Sequence, residues 1–241
     1  MCLPFCSARI IPAMIVGTAI LLSIASAQER TEAKQAGKTI GTAVEQLDFE
    51  LIDPTRDRAV PVRVYVSESE TAQPIVLFSH GLGGSRENSV YLGQHWASAG
   101  FTCVFMQHAG SDRAVLTSVP FRKRIATLKE AASAKSALQR LADVSFVIDQ
   151  LKQWNQDKSH RLSGKLDLAR IGLSGHSFGA VTTLGVAGRK SPKGAANEDP
   201  RINAFFAMSP QPGNVLSPQK SFGHITKPVL CMTGTKDNSS I

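Results

Sequence analysis

Gly175-His176-Ser177-Phe178-Gly179 sets a serine between two glycines, just after the short apolar stretch Arg170–Leu173 and at the head of a helical pattern running from Ser177 to Gly188. A serine on a sharp strand-to-helix turn stands with its hydroxyl above the sheet, where a substrate carbonyl can reach it. Glycines at 175 and 179 let neighbouring backbone close against that turn. The helix N-terminus beneath it favours developing negative charge. Ser177 is therefore the candidate nucleophile.

Two further segments supply what an acyl transfer needs. Phe78-Ser79-His80-Gly81-Leu82-Gly83-Gly84 follows the apolar run Ile75–Phe78. Attack on a carbonyl builds charge on its oxygen, and each preorganised backbone N–H aimed there contributes about 3–4 kcal/mol. The candidate donors are the backbone amides of Leu82 and Phe178, with their side chains lining the pocket. Thr233-Gly234-Thr235-Lys236-Asp237 closes the apolar run that begins at Val229. An acid at such a strand end can orient a histidine and stabilise its cation. Asp237 is the candidate, after Ser177 in the order Ser…Asp…His.

A histidine must take the serine proton, and none follows Asp237 before Ile241. The expectation is a fragment or truncated reading frame, whose base, last strand and terminal helix lie beyond. The alternative is a catalytically inactive scaffold with a binding role. Of the other histidines, His80 ends the oxyanion strand, His95 sits on a helical stretch, and His160 and His224 fall in polar loops. His108, at the C-terminal end of the strand Phe101–Met106, and His176, in the elbow, are candidate substrate-pocket residues.

Together with Gln107-His108-Ala109-Gly110-Ser111-Asp112, these segments resemble the α/β-hydrolase superfamily, and within it platelet-activating-factor acetylhydrolases and dienelactone hydrolases. The resemblance runs from about Leu47 to the C-terminus. It implies hydrolysis of a small acyl ester through an acyl-enzyme on Ser177, with a small-molecule substrate and neither metal nor cofactor. Some dienelactone hydrolases use cysteine; serine at 177 sets that nucleophile aside but leaves a lactone within the substrate class.

The elements needed to hold these residues are legible in outline. Val44–Ile52 and Val60–Val66 read as strands joined by the turn Asp53–Asp57, an antiparallel hairpin. From Pro74 onward, apolar strands alternate with helices, with a long helical pattern from about Arg122 to Trp154 and further strands at Ile202–Met208 and Val229–Thr233. This is an α/β fold of the α/β-hydrolase type: a doubly wound, mostly parallel sheet with an N-terminal antiparallel hairpin.

At 241 residues, 42% hydrophobic and 19% charged, the chain suits one globular domain and not a disordered segment. Residues 1–27 read as a signal peptide: Arg9, an apolar run from Ile10 to Ala25, and small residues at Ala25-Ser26-Ala27. The run is short for a spanning helix and Pro12 interrupts it, so no stable anchor is expected after cleavage, and the destination is periplasmic or extracellular. Residues 28–42 read as a flexible N-terminal segment and 43–241 as the hydrolase domain, expected to be incomplete at its C-terminus. The formal charge is +8, with basic residues gathered from Arg113 to Arg140. Lacking interleaved aromatics, that stretch reads as a solvated helix face and not a nucleic-acid site. Cys103 and Cys231 lie in apolar runs and are expected to be buried thiols.

Overall fold

Val62, Val64 and Val66 alternate with Arg63 and Tyr65, the period of a strand whose two faces meet different surroundings. In the computed structural model, which describes residues 43–190, 198–210, 217–235 and 237, that strand is β4 (Val62–Ser67). It pairs antiparallel with β1 (Val44–Phe49), from Val44 opposite Ser67 to Phe49 opposite Val62. The expected hairpin forms, but a small ribbon replaces its tight turn: β2 (Ile52–Asp53) against β3 (Arg58–Ala59). Asp53 nucleates it, its carboxylate accepting from the Thr55 amide at 2.9 Å and from Arg56.

The parallel strands are β5 (Gln73–Ser79), β6 (Thr102–Met106), β7 (Leu166–His176), β8 (Ile202–Met208) and β9 (Val229–Met232). The seven-stranded sheet runs β1-β4-β6-β5-β7-β8-β9, antiparallel through β4–β6 and parallel from β6 to β9. Among the described residues, five α-helices accompany it: α1 (Val90–Ser98), α2 (Arg124–Ala131), α3 (Ala134–Gln156), α4 (Phe178–Val186) and the short α5 (Pro218–Phe222). The single long helix expected from Arg122 to Trp154 is broken at Ser133. Its hydroxyl accepts from the Ser136 amide at 3.1 Å and so starts α3 afresh.

Two apolar layers sandwich the sheet. Ile75, Leu77, Val104, Ile171 and Leu173 pack with Val144, Val147, Ile148 and Leu151 of α3. On the opposite face Phe78, Phe105 and Tyr65 pack with Ala97 of α1. Each such Leu, Ile or Phe, taken fully out of water, contributes about 1.5–3 kcal/mol.

Two further expectations are corrected. Arg140 is not on a solvated face but fully buried (0% exposed), while Leu138 of the same helix is 59% exposed. Arg140 lies four residues before Val144 and seven before Val147, so the helix turns it inward with them. Cys103 is buried, but Cys231 is exposed, because β9 is the outer strand of the sheet and shows Leu230 and Met232 to solvent as well. The proposed signal peptide and flexible N-terminal segment and the last four residues lie outside the described residues. Among the described residues, no helix is long and apolar enough to cross a membrane.

Candidate active site

Strand β7 turns into α4 at Ser177, whose backbone lies at φ 54° and ψ −114°. That is the first central position of a type II′ turn, normally a glycine's place, and it costs a serine about 1–3 kcal/mol. Hydrogen bonds hold the turn: the Ser177 amide donates to Met208 O at 2.9 Å, and its carbonyl accepts from Ala180 and Val181. The flanking glycines are sterically required. A Cβ on Gly175 would lie 2.3 Å from the Gly179 carbonyl oxygen, and one on Gly179 would lie 1.9 Å from the Ser79 oxygen.

Across a cleft of about 420 Å³, Ser177 faces the loop after β5. Leu82, Gly83, Asn88, Ser89 and His176 line it with Ser177. Gly81 closes on the turn so nearly that a Cβ there would be 3.6 Å from Ser177 Cβ. The Gly83 amide donates to Ser111 O (2.9 Å) and the Gly84 amide to Gly81 O (3.1 Å). The amides of Leu82 and Phe178 donate to no protein acceptor among the described residues. Phe178 opens α4, so its N–H has no intrahelical partner by construction.

Asp237 stands on the loop after β9. Its Oδ2 accepts from Ser209 Oγ (2.7 Å), Thr233 Oγ1 (3.0 Å) and the Gly234 amide (3.0 Å). Oδ1 has no partner among the described residues and remains open as an acceptor. The Gly234 amide, then the two hydroxyls, hold the carboxyl below its ordinary pKa, and the nearby His176 adds to this. Consecutive residues serve both groups: Met208 holds the Ser177 amide and Ser209 holds the Asp237 carboxylate. The sequence-predicted serine and acid are thus tied to one strand end.

The histidines divide sharply. His176 is exposed and lines the cleft. His108 does not: it is wholly buried beneath the cleft floor. Its Nδ1–H donates to Asp143 Oδ2 and its Nε2 accepts from Ser79, both at 2.9 Å, the tautomer being fixed by the carboxylate. Ser79, His108 and Asp143 have the hydrogen-bond order of a Ser-His-Asp triad, but all three are 0% exposed and no carbonyl can reach that serine. The expectation of His108 in the pocket fails because its ring turns inward to Asp143 and Ser79, where none of it is exposed. His80 donates from Nδ1 to Gly81 O at 2.6 Å, and its Nε2 accepts from the His108 amide at 3.2 Å. His160 stacks on Trp154, and His95 and His224 are exposed. Among the described residues, no histidine hydrogen-bonds the Ser177 hydroxyl.

Sequence reading missed Asn88, whose Oδ1 accepts from the Ser85 amide at 2.6 Å, and the buried ions below the cleft. Asp143 receives Arg58 through two bonds (2.8 and 2.9 Å) and Arg56 at 2.7 Å. Burial alone would raise the Asp143 pKa; His108 and Arg58 outweigh it and hold the acid ionised. Among the described residues no cluster of metal-binding side chains occurs.

Residues 59–159 match the family model for platelet-activating factor acetylhydrolase, isoform II. The match takes in the Phe78–Gly84 segment, β6 and α3 but stops before the elbow. A ferulic acid esterase from Streptomyces cinnamoneus is similar in structure, with a TM-score of 0.56 at 16% identity over 79% of this chain. This chain spans 64% of that structure's length. No curated protein matches. The fold is that of the α/β-hydrolases.

Proposed function

We propose that this α/β-hydrolase chain is a serine esterase that cleaves a small acyl ester through an acyl-enzyme on Ser177. The observation that carries this reading is the strained Ser177 turn, set across a cleft from the unpartnered Leu82 amide and beside the unpartnered Phe178 amide. In the proposed reaction the Ser177 oxygen bonds the ester carbonyl carbon, and its proton passes to an imidazole base, which none of the described histidines supplies at the Ser177 hydroxyl. The carbonyl oxygen becomes an oxyanion held by the Leu82 and Phe178 amides. Collapse expels the alcohol, which takes the proton from the imidazolium, and water repeats the cycle to release the acid. Asp237, with Oδ1 open, is the group that would orient the imidazole and stabilise its charged form.

The cleft's volume suits a short acyl group with part of its alcohol. The matching family model is named for an acetylhydrolase and the similar structure for a ferulic acid esterase, and these names support an ester over an amide. We also propose that residues 1–27 direct export to the periplasm or medium; an exported chain beginning at Gln28 is the expected result of N-terminal sequencing.

The test is covalent labelling by a fluorophosphonate probe. Labelling of the parent, abolished by Ser177→Ala, is the expected result. One observation favours a second reading, an inactive scaffold that binds an ester-like ligand: no described histidine contacts the Ser177 hydroxyl. Ligand binding with no labelling of Ser177 would select that reading.

A further inference from the structure

Arg140 is the largest of the fully buried side chains, and its contacts converge on the segments that flank the cleft. Its Nη1 donates to the His80 carbonyl at 2.7 Å and reaches Ser79 Oγ at 3.4 Å. Its Nε donates to Ser111 Oγ at 2.8 Å, and its Nη2 to Ser111 O at 3.3 Å. The guanidinium carbon lies 4.5 Å from the centre of the Phe178 ring.

These partners bracket the two unpartnered amides. Leu82 lies between His80, which Arg140 holds directly, and Gly83, whose amide donates to the same Ser111 carbonyl that Arg140 binds. Phe178 is the residue whose ring rests against the guanidinium. One planar cation therefore touches the loop after β5, the loop after β6 and the first residue of α4. Burial pushes its pKa down to about 9, which leaves it charged at neutral pH, with Asp143 one turn along α3 supplying the opposing charge.

A leucine or methionine would fill this space with less desolvation cost, so simple core filling does not account for a buried arginine. A rigid fork of five donors can fix several carbonyls at once, which no apolar side chain can do. We propose that Arg140 is a positioning residue that sets the spacing and aim of the Leu82 and Phe178 amides toward the developing oxyanion. This rests on the esterase reading of Ser177.

The experiment compares the parent, Arg140→Lys, Arg140→Met and Ser177→Ala. Turnover of p-nitrophenyl acetate, fluorophosphonate labelling, thermal unfolding and amide hydrogen exchange are measured on each. Arg140→Met should lower kcat about 100-fold with KM changed by less than about threefold, the loss expected of misaimed donors. Arg140→Lys, which keeps the charge but not the fork, should fall between. Exchange should quicken at Gly83, Gly84 and Ser111, whose amides are hydrogen-bonded, and stay unchanged in β7 and β8. A folded Arg140→Met variant with unchanged kcat would overturn the proposal, as would loss of protection spread evenly through the sheet. Should the parent show no Ser177-dependent reaction, the esterase reading fails by itself. Exchange then still decides the role of Arg140: quickening confined to Gly83, Gly84 and Ser111 supports it, and none there overturns it.

Discussion

The Ser79 carbonyl lies directly against the Cα of Gly179, so that a Cβ added there would stand 1.9 Å from its oxygen. Both partners are backbone, and neither can rotate away. Gly179→Ala must lift α4 from β5, and we expect a loss of about 3 kcal/mol in urea unfolding, at the upper end of overpacking costs. The same shift moves Ser177, so labelling should slow at least about tenfold. An alanine variant of parental stability and labelling rate would contradict the packing described.

Ser177 adopts a backbone conformation suited to glycine. Ser177→Gly should therefore unfold at higher denaturant, by about 1 kcal/mol once the greater chain entropy of glycine is deducted, while labelling vanishes. Ser177→Ala keeps the strain and should gain little. A glycine variant less stable than the alanine variant would count against strain at the turn.

His108 and His80 are buried neutral. Burial, then the Arg140 cation, pushes His108 down to about 4 against the pull of Asp143; burial, then the charge His108 gains once it protonates and the Arg140 cation, pushes His80 to about 2. In the unfolded chain both titrate near 6.5. Between those values the unfolded state binds more protons, so stability falls as the pH drops from about 6.5 through about 4. Near pH 5 unfolding should take up about two protons from this pair, a slope on the order of 2–3 kcal/mol per pH unit. Denaturant midpoints measured from pH 7 to 5 check this, and a flat profile would show that the rings are not held neutral.

Asp237 has its pKa held below the ordinary carboxylate range, first by the Gly234 amide. It is ionised throughout the neutral range and should contribute no acid limb to activity above about pH 4. Asp237→Asn should lower kcat by about 10³–10⁴ with KM little changed, since the acid acts on the base and not on substrate binding. Turnover of p-nitrophenyl acetate above the Ser177→Ala background measures it, and an unchanged kcat would remove Asp237 from the mechanism.

What the sequence made legible was local. The Gly175–Gly179 turn could be read because its steric demands fall within five residues, and the mostly parallel sheet followed from apolar runs alternating with helices. His108 and Arg140 were misplaced because their surroundings are assembled from β3, β5, β6 and α3, and no short window reports on such company. A signal for Arg140 did exist: it shares a helix face with Val144, Val147 and Leu151, and a charge in an apolar stripe must have partners. Asn88 carried none, since its place depends on how the loop after β5 folds back on itself.

The peptide pair at Met208 and Ser209 fixes more than two hydrogen bonds. Since neighbouring units of one chain carry the serine turn and the carboxylate, thermal sliding of β8 displaces both together and leaves the gap between them nearly constant. Registration of the two groups is then inherited from covalent geometry, and loops elsewhere can lengthen or drift without putting the pair out of step.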